Sequence, residues 1–160
     1  MSHNRGMKIP ALAVGALLYA GSASAHVTVA PQQAPAGASQ IYKVRVHNDA
    51  KTSTTSVMVE VPAGVTIDSV ADVPNAQSDL TRTAGRVTAI TWKIDVPVGK
   101  YVELPFTARN PDAAGQINWN VTERFKDGST IEFSDKPDAK EKSSITKLLK
   151  NTPPAPSSAR

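Results

Sequence analysis

The chain has 160 residues, 18 Lys and Arg against 14 Asp and Glu for a formal charge of +4, and no cysteine. The missing thiols exclude a disulfide framework, thiolate metal sites, a cysteine nucleophile and thiol redox chemistry. The basic excess is small and no basic patch is interleaved with aromatics, so nothing points to a nucleic-acid partner.

Residues 1–25 open with Arg5 and Lys8, continue through an apolar run from Ile9 to Tyr19, and end in the small residues Ala23-Ser24-Ala25. This is the three-part layout of a secretory signal peptide. The run is shorter than the roughly 20 residues that span a bilayer as a helix, so the segment is expected to be cleaved. The mature chain then begins at His26, has 135 residues and a charge of +2, carries no transmembrane anchor, and resides in the periplasm or is secreted. That length fits one domain with a single core.

From His26 onward, short segments rich in Val, Ile, Thr and aromatics alternate with Gly, Pro, Asn and Asp, the pattern of strands and turns. Strands are expected at Val27–Ala30, Gln40–Asn48, Thr54–Val61, Val65–Val70, Arg86–Ile94, Tyr101–Arg109, Gln116–Phe125 and Thr130–Phe133. Turns fall at Pro35-Ala36-Gly37, Pro62-Ala63-Gly64, Ala84-Gly85, Pro97-Val98-Gly99, Asn110-Pro111-Asp112 and Asp127-Gly128, the last closing a hairpin. Tyr42, Val44 and Val46 share one face against Lys43, Arg45 and His47, and Val57, Val59 and Val61 oppose Ser56, Met58 and Glu60. Strands with one wet face and no helical period predict an all-β, antiparallel, broadly immunoglobulin-like sandwich over residues 26–135. Residues 136–160 turn to Lys, Asp, Glu, Ser and Pro and read as a flexible polar tail. Within it, Ile145, Leu148 and Leu149 are spaced for a turn of helix in Ser144–Lys150, the alternative being a weakly structured linker.

Catalytic signatures are missing: no G-x-S-x-G, no H-E-x-x-H and no glycine-rich phosphate loop. Glu132 and Asp135 read as surface charge at a hairpin end. Met58, the one methionine after residue 25, is too isolated for a Cu(I) site, and Trp92 and Trp119 read as core or rim aromatics. The mature chain has two histidines, His26 and His47. Cleavage after Ala25 makes His26 terminal, and its α-amino nitrogen and Nδ1 can then chelate one ion. A free amine has a pKa of about 7.7–8.0, so a metal displaces its proton near neutral pH at modest cost. Two nitrogens in one plane suit Cu(II), with zinc a second possibility.

The order and spacing of His26-Val-Thr-Val-Ala-Pro31, Tyr42-Lys-Val-Arg-Val46, Val59-Glu-Val-Pro62, Ile90-Thr-Trp92, Leu104-Pro-Phe106, Arg109-Asn-Pro111 and Phe125-Lys-Asp-Gly128 resemble the YcnI-like copper-binding family. The resemblance covers residues 26–135. It implies a secreted β-sandwich that holds Cu(II) in a single-histidine brace, with His26 as the terminal ligand, Asp49 as the carboxylate in place of the more usual Glu, and Phe133 where the family commonly has a Trp near the metal. His47 stands where many members have Pro; it is either a plain surface histidine or an additional equatorial ligand. The expected role is an exported copper carrier, buffer or chaperone, not an enzyme, whose partners are the copper ion and a membrane or exported copper-handling protein. A copper-dependent oxidative enzyme of the histidine-brace type and a protein-interaction module are the alternatives.

Overall fold

The computed structural model describes residues 26–150, and every regular element among them is a strand. In chain order these are β1 (His26–Ala30), β2 (Gln33–Pro35), β3 (Ser39–His47), β4 (Thr54–Glu60), β5 (Thr66–Val70), β6 (Gln77–Thr83), β7 (Arg86–Val96), β8 (Tyr101–Arg109), β9 (Gly115–Trp119), β10 (Val121–Phe125), β11 (Thr130–Ser134), β12 (Glu141–Lys142) and β13 (Ser144–Leu149). They form a four-stranded sheet in the order β1-β3-β8-β5, a six-stranded sheet β12-β11-β10-β4-β7-β6, and a three-stranded sheet β2-β13-β9. All pairings are antiparallel except the short β11–β12 and β13–β2 contacts. The expected all-β sandwich is therefore the observed fold.

The alternation read from β3 and β4 sets the two inner faces. Tyr42, Val44 and Val46 are fully buried, as are Val57 and Val59, while Lys43 and Arg45 stand outside. Between the sheets Tyr42, Phe106, Trp119 and Trp92 form one aromatic cluster, with Tyr42 stacked on Phe106 at 5.5 Å and Trp119 edge-on to Phe106 at 5.5 Å. Two of the polar ends find partners, Trp119 Nε1 donating to Thr146 Oγ1 and Tyr42 OH donating to Asn110 Oδ1 at 2.6 Å, while Trp92 Nε1 is buried without one. Burial pushes the Tyr42 phenol up to about 12, so it remains a donor.

Several expectations are corrected. Gln116–Phe125 is two strands, not one. It breaks at Asn120, with β9 pairing to β13 and β10 pairing to β4 and β11. Gln77–Thr83, too polar to show alternation, is an exposed edge strand held by its ladder to β7. The stretch assigned to a helical turn or linker is β13, whose Thr146 and Leu148 are buried. The folded unit thus continues to Leu149, past the expected boundary at residue 135. β13 also closes the outer edge of β1. Val29 N donates to Ser144 Oγ at 2.9 Å, and Thr146 Oγ1 donates to the Pro31 carbonyl at 2.8 Å. The signal segment 1–25 and the end of the tail, 151–160, lie outside the described residues.

One buried group runs against the apolar core. Glu123, on β10, is fully buried. Thr54 Oγ1 donates to its Oε1, but Oε2 has no partner. Desolvation raises the carboxyl above the usual range, opposed in part by the Thr54 bond. Because the folded pKa lies above the unfolded one, the associated stability is complete below the unfolded carboxyl's pKa and is lost as pH rises through the folded value. The thermal unfolding temperature of the parent should fall as pH is raised above the ordinary carboxylate range. Glu123→Gln, which keeps an acceptor for Thr54 but cannot ionise, should flatten that decline. Parallel profiles for the two proteins would rule out Glu123 as its source.

Candidate metal centre

Three strands place the site at one end of the four-stranded sheet. His26 opens β1 and lies directly opposite His47, the last residue of β3; His47 in turn lies opposite Tyr101, the first residue of β8. Residues paired in this way project to the same face. That face is the outer one, since Val27 and Val46 beside the histidines point into the core.

The main-chain direction of His26 follows from its neighbours. Asn48 N donates to Lys100 O at 2.9 Å, and Gly99 N donates to Asn48 O at 2.7 Å, so both groups of Asn48 face the β8 side. Gly99 can hold this turn because its φ is +75°, a left-handed value that costs glycine least. Val29 N, by contrast, faces away from β3 toward Ser144. Along an extended strand these groups alternate between edges, so the nitrogen of His26 faces β3 and His47.

Immediately after His47 the chain is pinned by Asn48, whose side chain is fully buried. Its Nδ2 donates to Val96 O at 2.7 Å and to Thr52 O at 3.0 Å, and its Oδ1 accepts from Ala50 N at 2.9 Å. With Asn48 turned inward, Asp49 comes out on the histidine face. One oxygen, Asp49 Oδ2, lies 3.1 Å from His47 Nδ1 and 3.4 Å from His26 Nδ1. The three side chains predicted from sequence therefore meet around one atom, at a partly exposed position: His26 is 69% exposed, His47 44% and Asp49 37%.

Among the described residues no group of three or more His, Cys, Asp or Glu side chains is arranged to hold a metal ion by itself. The imidazoles instead close on the carboxylate oxygen. The donor types still fit a borderline transition metal, which takes imidazole nitrogen and carboxylate oxygen. A main-chain nitrogen at His26 would add a donor from outside the side-chain set.

Phe133, expected as the aromatic neighbour, is not on this face. It is 4% exposed, paired with Val121 in the six-stranded sheet, and part of the hydrophobic core. The ring that shares the histidine face is Tyr101, 62% exposed, with the Arg45 guanidinium 5.2 Å from its centroid. Arg45 also donates to Glu103 Oε1 at 3.0 Å, and Lys43 approaches the other oxygen of the same carboxylate at 3.4 Å. Sequence reasoning missed Tyr101 and Asn48. A register assignment across the Pro97-Val98-Gly99 turn would have found Tyr101, while Asn48 carries no sequence signal beyond its place at a strand end. Glu132 and Asp135 are surface groups far along the chain from these residues. Glu132 pairs with Lys136 at 2.6 Å, and Asp135 accepts from the amides of Asn118 and Asn120, which hold its carboxyl below the usual range.

The profile of a protein family described as a domain of unknown function, DUF1775, matches residues 26–157. The chain is 28% identical over 142 residues to the copper-binding protein CutI of Bacillus subtilis (strain 168), across 87% of this chain and 70% of that one. Among solved structures, an uncharacterized protein from Nocardia farcinica with an immunoglobulin-like fold superposes with a TM-score of 0.67 at 19% identity, covering 77% of this chain and 97% of the other. A non-cellulosomal cohesin from Archaeoglobus fulgidus superposes with a TM-score of 0.50 at 12% identity, covering 78% and 91%. Identities this low carry the fold alone.

The Asn48 bonds generate a stability test. Asn48→Ala strips partners from two carbonyls and one N–H beneath the Asp49 turn. A buried group left unpaired costs about 1–3 kcal/mol, so urea unfolding should show a loss of about 2–4 kcal/mol. A loss no larger than that of an exposed-loop change such as Lys51→Ala would show that the turn holds without it.

Proposed function

The chain belongs to the DUF1775 family of YcnI-like domains, and we propose that it is an exported copper-binding protein, a carrier or buffer that holds Cu(II) at the terminal residue of its mature form. The observation that carries this reading is the meeting of His26 and Asp49 across 3.4 Å at the first position of a paired strand. It is supported by a family match that begins at residue 26 and by the copper-binding description of the Bacillus subtilis relative.

The chemistry follows from the residues. In the precursor the His26 nitrogen belongs to a peptide bond with Ala25, its lone pair delocalised. Cleavage turns it into a basic amine at the first position of β1, on the strand edge that faces β3. Amine and Nδ1 of one residue then form a chelate, and Asp49 supplies an anionic oxygen that offsets part of the ion's charge. A nitrogen-rich set with one carboxylate and no sulfur favours Cu(II) over Cu(I). The site is open to solvent, which suits a cargo that must be received and released. The chain's part in the proposed role is binding and presentation of the ion, not turnover, and its partner is a membrane or exported copper-handling protein. The proposed location is the periplasm or the exterior.

Competitive copper titration tests the reading. Mature protein starting at His26 should bind one Cu(II). A variant with one extra Ala before His26 should lose affinity by orders of magnitude, its fold unchanged because chain-end additions are tolerated. Equal affinities would remove the amine from the site. Asp49→Asn, which keeps shape and removes charge, should weaken binding by about 10–100-fold, the scale seen when even a supporting partner of a metal ligand is lost. An unchanged affinity would exclude Asp49.

A further inference from the structure

The geometry points to His47 as a second imidazole ligand, which would make the centre three nitrogens and one oxygen instead of a single-histidine brace. This inference rests on the His26 reading above and assigns a role to a residue that reading does not require.

The argument starts from spacing. Metal–nitrogen and metal–oxygen bonds at such sites are about 2.0–2.2 Å, so neighbouring donors in a square plane stand about 2.8–3.1 Å apart. Asp49 Oδ2 lies 3.1 Å from His47 Nδ1 and 3.4 Å from His26 Nδ1. One carboxylate oxygen therefore neighbours both imidazole nitrogens at close to this spacing. As they stand the three side chains close on one another and not on an ion; moved apart around one, His26 Nδ1, His47 Nδ1 and Asp49 Oδ2 would join the terminal amine as four donors of the kinds Cu(II) takes.

The fold supports the same assignment. His47 is the central residue of the row His26–His47–Tyr101, with strands paired on both sides, so its Cα is fixed. Its neighbour in the row, Tyr101, is engaged by Arg45. Among the described residues the side-chain partner of the His47 ring is Asp49. An ordinary surface histidine on this face would have Lys43, Arg45 and Glu103 as its company. His47 instead directs Nδ1 at the carboxylate that His26 also reaches.

The measurement is electron spin-echo envelope modulation of mature protein loaded with one equivalent of Cu(II), which counts equatorial imidazoles from their remote nitrogens. The parent should show two. His47→Gln should show one and bind Cu(II) about 10–100-fold more weakly, with unchanged circular dichroism. A parent spectrum with a single imidazole, which needs no variant to be interpreted, overturns the proposal, as does a His47→Gln protein indistinguishable from the parent. The Ala-extended variant separates the two readings. If extension leaves the continuous-wave spectrum and affinity unchanged, the terminal-amine reading fails. If extension abolishes tight binding while His47→Gln has no effect, only the role of His47 fails.

Discussion

A buried amide governs this end of the molecule. Asn48 sits at the point where β3 leaves the sheet, and its side chain ties together the last carbonyl of β7, the Thr52 carbonyl and the Ala50 N–H. Its main chain is joined to the β7–β8 turn as well. A fully buried amide is tolerable because each of its polar atoms has a partner. The consequence for Asp49 is positional. With residue 48 committed inward, residue 49 must emerge on the outer face, beside the two histidines that strand register has placed there. Neither the register nor the asparagine alone would bring the three groups together.

The core explains why such a site can rest on a chain without disulfides. The three sheets bury Tyr42, Trp92, Phe106 and Trp119 in one cluster of contacts, and large aromatic groups supply much of the burial available to a domain of this size. Trp119 and Tyr42 reach out to Thr146 and Asn110, which in turn hold the segments around Pro31 and Pro35. The same rings that fill the interior therefore anchor the crossings at its edge. Rigidity of this kind fixes the Cα positions of His26 and His47, leaving adjustment to their side chains.

The sandwich was legible because period-two alternation in β3 and β4 is a direct imprint of one dry face, and the Asp127-Gly128 hairpin followed from turn chemistry. Where alternation failed, so did the reading. Gln77–Thr83 has no apolar stripe because both of its faces are wet; only the β7 ladder makes it a strand. Ser144–Leu149 shows leucines at spacings that fit a helix, yet its i, i+2 pair Thr146 and Leu148 is what the core takes up. A threonine is a poor signal of burial, and here it is buried to bond Trp119. His26 and Asp49 were accessible through the terminal position and a family resemblance. His47 was singled out too, next to the loop that holds Asp49; what could not be read is the register that pairs residue 26 with residue 47. Phe133 failed for the reverse reason: a resemblance in linear order could not say which face of β11 the ring occupies.

The clamp on β1 has a bearing on how the protein is born. The first strand of the folded unit leaves one edge bare until Ser144 and Thr146 arrive, 115 residues later in each hydrogen bond. They are synthesised long after β1 is. Until then β1 hangs from β3 alone, with no closure along its outer side, and a chain cut short of β13 would hold His26 on a half-fastened strand. The β1 edge of the sandwich is thus finished only when β13 docks, so a fragment that stops short of Ser144 keeps that edge open.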